Sequence, residues 1–149
     1  MPHTYTNLLT HIIFSTKDRT PFIKPELKDE LHAYMGGIIR ELKGTAVLIN
    51  GTADHVHSLV YLPPNFSLSD ALRVLKTNSS RWAHEEKRIA RFGWQSGYGA
   101  FSVSQSNAKT VGAYIAHQEE HHRKVTFKEE FKAFLEKNGI AYDEQYLWG

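Results

Sequence analysis

"TAVLINGTADHVHSLVYLPP", residues 45–64, is the stretch that decides the fold. Two strand-like apolar runs, 45–50 and 55–62, are parted by GTAD and closed by a double proline, which reads as a β-hairpin. Just upstream, Leu27, Leu31, Tyr34, Met35, Ile38, Ile39 and Leu42 recur at helical spacing after proline signals, until Gly44 stops the run. NLLTHIIFSTK (7–17) precedes that helix and is short and branched enough for a buried strand. After the hairpin, Leu68, Ala71, Leu72 and Leu75 predict a second helix, with Ser67 or Ser69 as its N-cap, and SGYGAFSVSQS (96–106) predicts a fourth strand. The order is therefore strand, helix, strand, strand, helix, strand. This predicts an α+β ferredoxin-like (RRM-like) βαββαβ sandwich with an antiparallel sheet. AKTVGAYIAHQEEHHRKV (108–125) and FKEEFKAFLEKNG (127–139) then read as helices of a C-terminal extension.

No internal repeat or linker interrupts the 149 residues, so one domain is expected over 1–149, with a core over about 5–105 and the extension over about 108–149. The composition, 41% apolar and 23% charged, is that of a folded chain and excludes a disordered tail. A net charge of +2 permits a nucleic-acid partner without demonstrating one. The absence of cysteine excludes a disulfide framework and thiolate metal sites, and no apolar run approaches a membrane span, so the chain reads as cytoplasmic.

Nine histidines stand out, and their positions matter more than their number. Side chains alternate across a strand, so His55 and His57 share one face while Val56 points the other way into the core. Such a pair suits a divalent metal, but on the pair alone the reading as two surface or cross-strand histidines comes first. On the later helix Tyr114, Gln118 and His121 fall on one stripe at i, i+4 and i+7, with His122 at its edge. That stripe is either a polar solvated face or a set of site residues. Together, two imidazoles and a carboxamide could hold a metal while a tyrosine hydroxyl acts as nucleophile.

"DHVHSLV", "KTNSSRW", "WQSGYGAFSVS" and "YIAHQEEHH", in that order and over nearly the whole chain, resemble the small single-tyrosine HUH transposases of bacterial and archaeal insertion sequences. The resemblance implies that His55, His57 and Gln118 bind a divalent metal, Mg2+ or Mn2+, and that Tyr114 is the nucleophile. It implies a transposase that cuts single-stranded DNA at hairpin-marked ends, keeps the 5' phosphate on tyrosine and later rejoins the strand, with no nucleotide cofactor. It also implies a homodimer with composite sites, in which the residues between SVSQSN and Tyr114, with SNAKTVG (106–112) of suitable composition, are either a hinge for the tyrosine helix or an ordinary loop and helix start. His121 and His122 match paired histidines expected to support the site and the DNA phosphate. His117 stands where family members commonly carry asparagine, and is a candidate fourth nitrogen or proton-handling group. Arg73, Lys76, Arg81, Lys87, Arg88 and Arg91 are the candidates for DNA contact, with Trp82, Phe92 and Trp94 as stacking platforms or core residues. The alternatives are a domesticated, non-cleaving hairpin-binding module and a metal-dependent hydrolase.

Overall fold

The computed structural model describes residues 3–149. Strand β1 (Leu9–Ser15) leads through a short 3-10 turn to α1 (Pro25–Glu41), which begins with proline at its first turn, where no hydrogen bond is lost. β2 (Thr45–Gly51) and β3 (His55–Tyr61) form the expected hairpin. Helix α2 (Leu68–Glu85) starts at Ser67, whose hydroxyl accepts the Asp70 backbone N–H at 3.1 Å, and β4 (Gly99–Ser102) closes the sheet. The strand order β2-β3-β1-β4, antiparallel at every pairing, is that of the βαββαβ sandwich.

Alternation divides each central strand between two environments. Ile12 and Phe14 of β1 and Val56 and Val60 of β3 pack beneath α1 and α2 with Leu31, Met35, Leu72 and Leu75. The opposite face carries Leu9, His11 and Ile13 on β1 and His55, His57 and Leu59 on β3, in register as Ile13↔His57 and Ser15↔His55.

That second face was expected to look away from the core, but it is covered. Helix α3 (Ala108–Ala116) seats Ile115 and Val111 against Leu9 and Leu59, and α5 (Phe127–Lys137) seats Phe127, Phe131 and Leu135 against Ile13 and Phe101. The C-terminal extension is therefore a third layer, and it turns a polar sheet face into an interior. Burying each of these phenyl rings contributes about 2 kcal/mol towards holding the layer in place.

One predicted helix is broken. The 108–125 run becomes α3 and the single turn α4 (Gln118–His121), separated at His117, where φ is −104° and ψ is 28°. No proline or glycine marks this break. It is held instead by Asn50 of β2, whose side-chain amide donates to the carbonyls of Ile115 at 2.8 Å and Ala116 at 3.2 Å, the groups a continuing helix would have used.

Candidate active site

His55 and His57 are both fully buried, and their positions follow from β3: an i, i+2 pair on the face roofed by the C-terminal helices. The α3–α4 break keeps Tyr114 and Gln118 on the same side, so that Gln118, also fully buried, puts its amide oxygen 3.1 Å from His55 Nε2. His121 packs its ring against Tyr114 with centroids 5.2 Å apart, and His122 sits 4.3 Å from the His55 ring. His117 does not join them: it is exposed and its Nδ1 lies 2.7 Å from the Ala113 carbonyl.

Four residues outside the sequence-derived candidates complete the cluster. Glu130 of α5, 3% exposed, stands at its centre, bonded to His57 Nε2 at 2.9 Å, His122 Nε2 at 3.0 Å, Gln118 Nε2 at 3.2 Å and the Tyr114 hydroxyl. His11 of β1 supports His57 from behind, Nε2 to Nδ1 at 2.8 Å. Asp54 contacts His55 Nδ1 at 2.9 Å, and Thr52 Oγ1 is 3.0 Å from the same atom.

The charge states follow from this packing. Burial pushes His57 down to about 4 against the opposing pull of Glu130, and pushes His11 down to about 3, so both imidazoles are neutral near pH 7. Burial also disfavours charge on Glu130, yet the hydrogen bonds from His122 and His57 prevail and hold its carboxyl well below the ordinary range. Burial lowers His122, but the bond and charge of Glu130 outweigh it and raise its pKa. Tyr114 is raised well above its ordinary value, by burial first and then by Glu130, so its hydroxyl is protonated at rest.

The donor set fits a divalent cation. Asp54 accepts the Nδ1 proton of His55, which leaves a lone pair on Nε2, and that lone pair faces the oxygens of Gln118 at 3.1 Å and Glu130 at 3.5 Å. Acceptors facing acceptors call for a positive species among them, a proton or a metal ion. Gln118 is oriented this way because its Nε2 already donates to Glu130. Four donor groups, from His55, His57, His122 and Glu130, offer atoms all within 4.8 Å of one another. A cleft of about 430 Å³, lined by His11, Val111, Tyr114, His121, Glu130 and Phe134, opens onto the tyrosine hydroxyl.

The family model described as "Transposase IS200 like" matches residues 4–118, from the first strand to Gln118. The chain belongs to the IS200-like transposase family. Among curated relatives, the transposase for insertion sequence element IS200 of Salmonella typhimurium is 31% identical over 128 residues, covering 79% of this chain and 81% of the relative, and that of Salmonella typhi matches equally. Two solved structures share the fold. A presumed transposase of Deinococcus radiodurans R1 superposes with a TM-score of 0.63 at 22% identity, over 79% of this chain and 95% of that one. A REP-associated tyrosine transposase bound to a REP hairpin does so with 0.59 at 14% identity, over 84% and 74%.

The basic residues lie elsewhere, on α2 and the loop after it, in the layer across the sheet from Tyr114. Arg73, Arg81, Arg88 and Arg91 are exposed, Arg73 within 3.8 Å of Asp70. Lys87 pairs with Glu30 and covers the Trp82 ring. Lys76, expected to face DNA, instead donates to the backbone carbonyls of Gln95, Ser96 and Gly97, and burial lowers its pKa to about 8. Phe92 is core, while Trp94 packs on Phe14 and donates to Ser79, and Trp82 stacks on Tyr34, so all three aromatic rings serve the fold.

Proposed function

We propose that this IS200-like transposase, acting as one domain over residues 1–149, cuts and rejoins single-stranded DNA through a phosphotyrosine on Tyr114. The reading rests chiefly on one observation: Tyr114, Gln118, His55 and His57, far apart in sequence, converge on one buried polar cluster that a cleft connects to solvent. The phenolic oxygen attacks a backbone phosphorus, an O–P bond to tyrosine forms and the bond from phosphorus to the 3' oxygen breaks. The phenol proton leaves to a neighbouring base or water and the 3' oxygen takes one up, so the step is neutral overall. Because the tyrosyl ester conserves the free energy of the broken bond, a free 3' hydroxyl can reverse the reaction and join new ends.

His55, His57 and Gln118 would hold Mg2+ or Mn2+, which when bound supplies Lewis-acid polarisation of a phosphate oxygen. His121 and His122, flanking the carboxylate side of the cluster, would orient the tyrosine and the phosphate. The exposed Arg73, Arg81, Arg88 and Arg91 would meet DNA phosphates, and a hairpin substrate is suggested by the REP-hairpin complex of the related fold. The same reading carries a homodimer that exchanges tyrosine helices. A single chain already brings Tyr114 to its own histidines, so exchange requires release of the two Asn50 bonds to α3. Light scattering should give twice the chain mass; a monomer at micromolar concentration contradicts exchange.

The test uses single-stranded DNA flanking the gene, labelled at its 3' end, with Mg2+ or Mn2+ and a denaturing gel. The labelled fragment should migrate with the protein, and Tyr114→Phe should abolish this adduct while retaining binding. Binding without an adduct identifies a non-cleaving hairpin module, and free cleaved product without an adduct identifies a hydrolase.

A further inference from the structure

Glu130 lies twelve residues beyond the region that the family model matches, on a helix that looks like ordinary packing. Its two oxygens face different groups. Oε1 meets His57 Nε2 at 2.9 Å, His122 Nε2 at 3.0 Å and His55 Nε2 at 3.5 Å; Oε2 meets the Tyr114 hydroxyl, Gln118 Nε2 at 3.2 Å and His121 Nε2 at 3.4 Å. No lysine or arginine pairs with this carboxylate among the ion pairs of the described residues.

We infer that Glu130 is the anionic ligand of the cation site, its Oε1 joining His55 and His57 while its Oε2 holds the Tyr114 hydroxyl beside the ion. This inference rests on the metal-assisted phosphotyrosine reading above. Two neutral imidazoles and a carboxamide offer no charge to a hard divalent ion, and Mg2+ and Mn2+ favour carboxylate oxygen. The spacing is also suitable. Ligand atoms at right angles around an ion about 2.1 Å away stand about 3 Å apart. Glu130 Oε1 is 2.9 Å from His57 Nε2 and 3.5 Å from His55 Nε2.

The histidines behind the site are arranged to permit this. His57 shares its Nε2 proton with Glu130 only when no cation lies there; with the Nε2 lone pair turned to an ion, its proton sits on Nδ1, and His11 Nε2 at 2.8 Å is placed to accept it. His55 has the same provision in Asp54. Glu130 thus couples ion binding to nucleophile placement, and α5, outside the sandwich, supplies the charge.

The experiment titrates metal-free full-length protein with Mn2+ alone, following free Mn2+ by electron paramagnetic resonance, with thermal melts to check folding. Glu130→Gln should weaken binding by about tenfold to a hundredfold, as His55→Gln should. If Glu130→Gln binds like wild type while His55→Gln does not, the inference falls and the phosphotyrosine reading stands. If wild type itself binds no Mn2+ at millimolar levels, both fall. Should Glu130→Gln fail to melt cooperatively, Glu130→Asp is read in its place: a weakened affinity and an altered bound-Mn2+ spectrum support the assignment, and an unchanged pair overturns it.

Discussion

Glu130 is buried only because six polar groups surround its carboxylate, and the converse dependence is as strong. His57 illustrates it: fully buried, it links His11 behind it to Glu130 in front. His57→Ala removes the ring and leaves both partners short of a hydrogen bond, so it should cost about 2–4 kcal/mol of stability in addition to cation-dependent activity. Chemical denaturation measures the loss; a wild-type midpoint would contradict the buried placement. The histidine pair and the tyrosine were legible in the sequence because their spacing is unusual and tied to a recognisable family pattern. Glu130 was not, since in FKEEFKAFLEK it reads as one of three acids beside an apolar stripe, and only tertiary packing shows which of them turns inward. His11 was hidden likewise, as a lone histidine in an apolar strand.

At the scale of elements, hydrophobic period and turn chemistry located four strands and the main helices, and Ser67 marked the start of α2. The break at His117 left no local signal, because a distant strand residue imposes it. Asn50→Ala should free the last carbonyls of α3, cost about 1–2 kcal/mol and raise amide exchange through 113–118 more than in β1 or β3. Uniform exchange across the chain would show that Asn50 does not hold the tyrosine helix. A second element-scale prediction concerns the turn leading into β3. A Cβ on Gly51 would stand 2.1 Å from the His55 carbonyl oxygen and 2.9 Å from Val56 Cα, both backbone atoms of the strand that carries the histidine pair. Gly51→Ala must therefore shift β3 and should lower stability by about 2 kcal/mol or more together with Mn2+ affinity; a variant with normal melting and binding would refute that close approach.

For the whole molecule, the consequence is a sheet with two interiors, one apolar and one built around a polar cluster. The sequence pattern suggested an extension appended to a finished sandwich, whereas Phe127, Phe131 and Leu135 cover the second face. Stability should also depend on acidity at a residue remote from the site. His32 of α1 is buried, its Nε2 lacks a partner, and burial lowers its pKa to about 4, with Lys28 assisting. Its folded pKa lies below the unfolded value of 6.5, so the unfolded chain takes up the proton first. The stability is whole above about pH 6.5 and falls by up to about 3 kcal/mol as the pH drops to about 4. His32→Leu should flatten that part of the melting-temperature profile, and a parallel profile would contradict the assignment. The central claim concerns one covalent bond. Protein reacted with its flanking single-stranded DNA, digested with nuclease and trypsin and examined by mass spectrometry, should carry a nucleotide through phosphate on the peptide bearing Tyr114; a nucleotide on any other residue, or cleaved DNA with every peptide unmodified, would contradict the account.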